Sequence, residues 1–184
     1  DCTMNVKSMQ DKTALVTGGG GGIGSAICRE LAAAGAKIII NYNSNQQKAQ
    51  ATLDSLEGSG HTVIQGTVTD KASLDAMATQ VASQYGTLDL LVNNAGVTKP
   101  VPHDDLDGLD DETIDYILQT NVRGSFACVR AFRTLLDGGD GGTVVNISSI
   151  AGVTGVGSNV VYCASKAAIN TMTKSLARAL APRI

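Results

Sequence analysis

The chain has 184 residues, 43% hydrophobic and 17% charged, with a formal net charge of -3, the size and balance of one globular domain. With 14 basic against 17 acidic residues there is no basic field for a polyanion, and the longest apolar runs are far short of the roughly 20 residues that cross a bilayer. Neither nucleic acid nor a membrane is expected as a partner.

Residues 1–10 read as a short polar tail and residues 11–184 as the single domain. Apolar segments of strand length then alternate with longer segments of helical period, the pattern of repeated βα units around a parallel sheet. Strands are expected at 13–17, 37–42, 62–67, 88–93 and 143–148. Helices are expected at 23–34, 46–56, 72–85, 112–136 and from 162 to about 180. Gly35 ends the first helix and the next strand follows at once, as a tight αβ connection requires. The stretch from Thr98 to Asp111 carries Pro100, Pro102, Gly108 and a series of aspartates, so a solvated loop is expected there.

Cys2, Cys28, Cys128 and Cys163 are scattered, with no CxxC pair and no histidine at ligand spacing. Neither a disulfide framework nor a metal site is expected, and a reducing cytoplasm is the default compartment.

Directly after the first expected strand comes Thr17-Gly18-Gly19-Gly20-Gly21-Gly22-Ile23-Gly24, and a helix opens there. Glycines at such a turn permit positive φ, let backbone approach a pyrophosphate and expose N–H groups at a positively polarised helix end. Many Gly-rich patterns are met by five consecutive glycines, so the strand–turn–helix setting carries the weight. No Lys-Ser/Thr follows, which argues against a P-loop hydrolase.

Tyr162 and Lys166 stand at i and i+4 near the start of the last helix and share a face. Free tyrosine titrates near 10, too high for efficient proton exchange at neutral pH, and a fixed ammonium about 4 Å away would favour tyrosinate by about 4 kcal/mol at an effective dielectric near 20. Ser149 lies just past the fifth expected strand, where open α/β sheets bind ligands, with Ser148 as its competitor.

The order Thr17-Gly-x-x-x-Gly-x-Gly24, Asn93-Asn94-Ala95-Gly96, Asn121, Ile147-Ser148-Ser149 and Tyr162-x-x-x-Lys166 resembles the short-chain dehydrogenase/reductase family, over essentially residues 11–184. Within it the chain looks most like 3-oxoacyl-carrier-protein reductases and sugar dehydrogenases. The resemblance implies a three-layer, doubly wound Rossmann sheet and hydride transfer between NAD(P)(H) and a carbonyl or secondary alcohol. It makes Tyr162 the general acid/base, Ser149 the group that orients the carbonyl, and Lys166 the group that lowers the tyrosine pKa and holds the nicotinamide ribose. Asn121 would hold a water connecting Lys166 to solvent. The cofactor would meet Gly18, Gly20, Gly21, Gly22, Ile23 and Gly24, then Asn43, Ser44, Thr67 and Val68, then Asn94, Ala95 and Gly96. Tyr162 and Lys166 complete that set.

An acidic residue ending the second strand would favour NAD, but Tyr42, Asn43 and Ser44 stand there, so NADP is expected ahead of NAD, although no Arg or Lys occupies positions 42–47 or the glycine run. Thr67 replaces an aspartate that many members use to contact the adenine amine. Members usually continue some sixty residues past the Tyr/Lys helix, so the usual C-terminal strands are expected to be missing and a truncated cofactor-binding module with little activity is the alternative reading. Dimers or tetramers through the helices at 112–136 and 162–180 are implied, with Ile114, Ile117, Leu118, Phe126 and Val129 available to core or partner.

Overall fold

The computed structural model describes residues 8–184. Most of the expected N-terminal tail, including Cys2, lies outside the described residues. The backbone of Met9 is already bonded to the Ala34 carbonyl at 3.0 Å.

Five parallel strands, β1 (Thr13–Val16), β2 (Lys37–Tyr42), β3 (Thr62–Gln65), β4 (Leu90–Asn93) and β5 (Thr143–Asn146), form one sheet in the order β3-β2-β1-β4-β5. The chain winds outward from β1 through β2 to β3, then returns to the other side of β1 for β4 and β5. The direction therefore reverses between β1 and β4, and their carboxyl ends open a crevice of the kind that binds ligands in such sheets.

Helices cover both faces because alternate strand residues point to opposite sides. Ala14, Val16, Ile38, Ile40, Leu90 and Val92 pack with Cys28 and Ala32 of α1 (Gly22–Ala33) and Ala49 of α2 (Gln46–Asp54). Leu15, Ile39, Ile64 and Leu91 pack instead with Leu74, Met77 and Val81 of α3 (Lys71–Tyr85) and with Ala127 to Leu136 of α5 (Ser125–Leu136). Ile38, Ile39 and Ile40 have no exposed surface, and burying each contributes about 1.5–3 kcal/mol relative to exposure.

The single helix expected at 112–136 is three pieces: α4 (Asp111–Leu118), a π-helical turn (Gln119–Gly124) and α5. A π turn inserts a residue without breaking the apolar stripe, so periodicity alone does not reveal it. The final helix, α7 (Val160–Leu180), starts two residues before Tyr162, capped by Asn159, whose side chain accepts from the Tyr162 N–H at 2.6 Å. A short α6 (Ala151–Thr154), unannounced by the sequence, lies between β5 and α7. Ile117 and Val129 are core, whereas Leu118 and Phe126 are exposed. The stretch after β4 has no strand or helix until α4, as expected, yet it is pinned where the Val101 N–H reaches the Ser158 carbonyl at 2.8 Å.

Candidate active site

The crevice is held open from within by Thr17, whose hydroxyl accepts the N–H groups of Asn94 and Ala95, each at 3.0 Å. The Asn94 amide returns the bond to the carbonyls of Thr17 and Gly18. These contacts stitch the turn after β1 to the turn after β4.

Gly18 takes φ +63, and Gly24 packs so tightly that a Cβ there would collide with the Gly18 carbonyl and lie 2.6 Å from the Asn94 amide nitrogen. Only glycine fits both positions. The N-cap of α1 is Gly21, which offers no side chain to the first-turn N–H groups, and no acidic residue stands in that turn. By contrast Asn45, Asp70, Asp110 and Asn159 cap α2, α3, α4 and α7 with their own oxygens. The uncapped positive end of α1 is therefore available to an anion.

A cavity of about 340 Å³ runs along these carboxyl ends. Of the residues expected at a cofactor, Gly18, Gly21, Asn43, Thr67, Val68, Asn94, Ala95 and Gly96 line it. Gly20, Gly22, Ile23, Gly24, Ser44, Tyr162 and Lys166 are not among its lining residues. Gly20 lies against the Ala49 backbone of α2 instead, and Ile23 is exposed.

Asn41, Gly66, Thr69, Val97, Tyr116 and Thr120 line the cavity too, and the sequence reading missed them. Asn41 had a signal, because an amide inside an apolar strand needs partners. Its oxygen accepts the Gly18 N–H at 3.3 Å and its nitrogen donates to the Gly66 carbonyl at 2.9 Å, so it braces the glycine turn from β2. A cation was missed as well. Among the described residues, the atom that a Cβ at Gly21 would meet is Cδ of Lys48, at 3.9 Å, so this α2 lysine, one residue beyond positions 42–47, reaches over the turn. Lys48 is exposed and, among the described residues, has no carboxylate partner.

Lys166 and Asn121 stand at the far end, where a Cβ on Gly96 would be 3.7 Å from Lys166 Nζ and 3.3 Å from Asn121 Oδ1. Asn121 lies in the π turn, not in a regular helix as expected. Its oxygen accepts the Val97 N–H at 2.8 Å, and its nitrogen donates to the Val97 carbonyl and to Ser165 Oγ. It thus ties the turn after β4 to α7 beside Lys166.

Lys166 Nζ donates to the Ile147 carbonyl at 2.8 Å and sits 5.7 Å from the Tyr162 ring centroid, a cation–π distance. Burial pushes its pKa below the usual lysine value. Tyr162 is half-buried. Ser148 Oγ donates to the Lys166 carbonyl at 3.1 Å, and Ser149 Oγ accepts the Ala151 N–H at 3.1 Å. A hydroxyl that only accepts keeps its proton free, so Ser149 retains a donor whereas Ser148 has committed its own. Among the described residues no cluster of His, Cys, Asp or Glu suits a metal ion, and no helix is long and apolar enough to cross a membrane.

Comparison with known proteins gives a concordant set of matches. The family model for short chain dehydrogenases matches residues 12–184. The chain is 36% identical over 174 residues to the 3-oxoacyl-[acyl-carrier-protein] reductase FabG of Staphylococcus aureus, covering 94% of this chain and 70% of that one. It is 40% identical over 180 residues to the short-chain dehydrogenase/reductase FrzI of a Cladobotryum species, covering 96% and 67%. Among solved structures, a short chain dehydrogenase from Burkholderia cenocepacia in complex with NADP superposes with a TM-score of 0.84 at 38% identity, covering 95% of this chain and 71% of that one.

Proposed function

We infer the reaction from one premise: the chain belongs to the short-chain dehydrogenase family, and it is an NAD(P)-dependent oxidoreductase acting on CH–OH and C=O groups. In our reading Tyr162 is its general acid/base. The nicotinamide cofactor, when bound, gives or takes the hydride.

What supports this reading is Lys166, whose Nζ stands beside Gly96 at one end of a crevice whose other parts suit a dinucleotide and lies 5.7 Å from the Tyr162 ring centroid. The uncapped α1 end and the Gly18–Gly24 approach would hold the pyrophosphate, with Ile23 and the neighbouring glycines supplying backbone. Lys166, beside Gly96, would hold the nicotinamide ribose.

In reduction Tyr162 Oη would give its proton to the substrate oxygen, and in oxidation it would take a proton back from the hydroxyl. Lys166, whose Nζ lies 5.7 Å from the ring centroid, would place a positive charge near the charge that develops in that transfer. Ser149 would donate a hydrogen bond to the carbonyl oxygen and fix its orientation while keeping its proton. Asn121 is a positioning residue that keeps Val97 and Ser165 in place around Lys166, and it would hold the water that passes the proton to solvent.

The reading takes NADP over NAD. Asn43 and Ser44 repel no phosphate at the end of β2, and Lys48 supplies the missing cation over Gly21. A 3-oxoacyl thioester is the first substrate to test, given the activity named for the staphylococcal relative. A homodimer or homotetramer is supported by the apolar hollow of Leu118, Val122, Phe126 and Met172, open on the α4–α5 and α7 side. Three free thiols, Cys28, Cys128 and Cys163, fit a cytoplasmic protein.

Replacing Tyr162 by Phe removes the ionisable hydroxyl and nothing else. Turnover should fall by about 10²–10⁴-fold while cofactor affinity holds. Normal turnover in Tyr162→Phe would sink the assignment.

A further inference from the structure

Among the described residues, two buried side-chain polar atoms have no hydrogen-bond partner, Asn93 Oδ1 and Thr120 Oγ1. Only Thr120 lines the crevice. It is 7% exposed and sits in the π turn next to Asn121. A threonine in a helix commonly returns its hydroxyl to a carbonyl one turn back. Thr120 does not, and a buried hydroxyl without a partner costs folding free energy. Thr120 itself lines the crevice, so a rotation about its χ1 would bring this hydroxyl to a ligand there.

The layout of the crevice limits which part of a ligand it meets. Lys166 and Asn121 flank Gly96 at one end, and the uncapped start of α1 is the anion site in the middle. The remaining end is walled by Gly66, Thr67, Val68 and Thr69 after β3, facing the π turn. That wall is docked on the turn. Arg123 donates to the Thr69 carbonyl at 2.8 Å, and Gly124 lets Val68 so close that a Cβ there would stand 2.7 Å from Val68 Cγ2.

The other side-chain hydroxyls of this wall already have partners. Thr67 Oγ1 is bonded to Thr69 Oγ1 at 2.8 Å and also accepts the Thr69 N–H. Among the described residues no carboxylate lines the crevice, although family members often place an aspartate at the position of Thr67.

We propose that Thr120, through its unpartnered hydroxyl, is the residue that hydrogen-bonds the adenine base of the dinucleotide, in the role that an acidic residue fills elsewhere in the family. The proposal rests on the cofactor reading above. A hydroxyl both donates and accepts, so it can serve the 6-amino group or a ring nitrogen without needing a charge.

The test compares the wild-type chain with Thr120→Val and Thr120→Ser by three readouts that need no turnover. These are NADPH affinity from nicotinamide fluorescence, displacement of NADPH by 2′,5′-ADP, and the melting temperature of the free protein. Val keeps the shape and removes the hydroxyl. NADPH and 2′,5′-ADP should both weaken by about tenfold, by the same factor, because the contact lies in the adenosine half. The free protein should melt at the same temperature or higher, because an unpaired buried group has gone. Ser should bind within about threefold of wild type.

Unchanged affinities in Thr120→Val, with the wild type binding NADPH, would overturn the proposal and leave the cofactor reading standing. A drop in melting temperature with no rescue of affinity by Ser would assign Thr120 a structural role and overturn it too. A wild type that binds neither nucleotide would remove both readings together.

Discussion

The two halves of the sheet are built to different standards. On the β1–β2 side, Ala14, Leu15, Val16, Ile38, Ile39 and Ile40 have no exposed surface, and the turn above them is fixed by Thr17, Asn41 and Asn94. On the β5 side the strand is an edge with Val145 41% exposed, and Ile150, Val153 and Val156 around α6 stand largely in solvent. The half beneath the glycine turn is thus closely packed, while Ile150, next to Ser149, and the residues around α6 leave apolar surface exposed. In the proposed function, nucleotide recognition would rest on backbone braced by Thr17, Asn41 and Asn94, and proton transfer on side chains that follow β5. The two should therefore fail separately when disturbed.

The largest effect belongs to the rigid half. Gly24→Ala drives a methyl into the Gly18 carbonyl and the Asn94 amide, so it should lower stability by about 1–3 kcal/mol and abolish nucleotide binding. Urea melts and NADPH titration read both. Full binding by a folded Gly24→Ala protein would break the contrast, because the close approach would then carry nothing.

A smaller and more selective effect is expected at Lys48, which touches the turn from outside. Lys48→Ala should weaken NADPH by about tenfold, leave NADH unchanged and leave stability within about 0.5 kcal/mol. The NADPH loss should shrink as salt rises, because the ammonium is exposed and its field is screened. An equal loss for both nucleotides would show that Lys48 does not read the 2′-phosphate.

The smallest effect is a change of slope in the catalytic half. Burial lowers the Lys166 pKa, so in the window between its folded value and the unfolded value near 10.5 the unfolded chain binds more protons. Stability should therefore rise with pH through that window in the wild type relative to Lys166→Met. Parallel urea midpoints for the two proteins across alkaline pH would mean that the lysine is not desolvated.

The same contrast explains what could be read from the sequence. Parallel strands buried on both faces announce themselves as apolar runs, so all five strands and the doubly wound plan were legible, with ends misjudged by one or two residues. Strand ends fray where pairing stops: the fifth was expected to reach Ser148 and stops at Asn146. Of the residues expected at a cofactor, Gly18, Gly21, Asn94, Ala95 and Gly96 do line the crevice, because each sits in a turn directly after β1 or β4.

What escaped depends on register across the fold. Asn41 reaches Gly18 from the neighbouring strand, Lys48 arrives from α2, and Thr120 is turned to the crevice by a π turn that leaves no mark in hydrophobic periodicity. Short α6 escaped because four residues are too few to show a period.

The most direct test of the central claim is titration of the purified chain with NADPH and NADH, following reduced-nicotinamide fluorescence. The account predicts saturable binding of both, tighter for NADPH. Fluorescence that rises only in proportion to added nucleotide, for both, would contradict it, because the most rigid part of the molecule would then have no ligand.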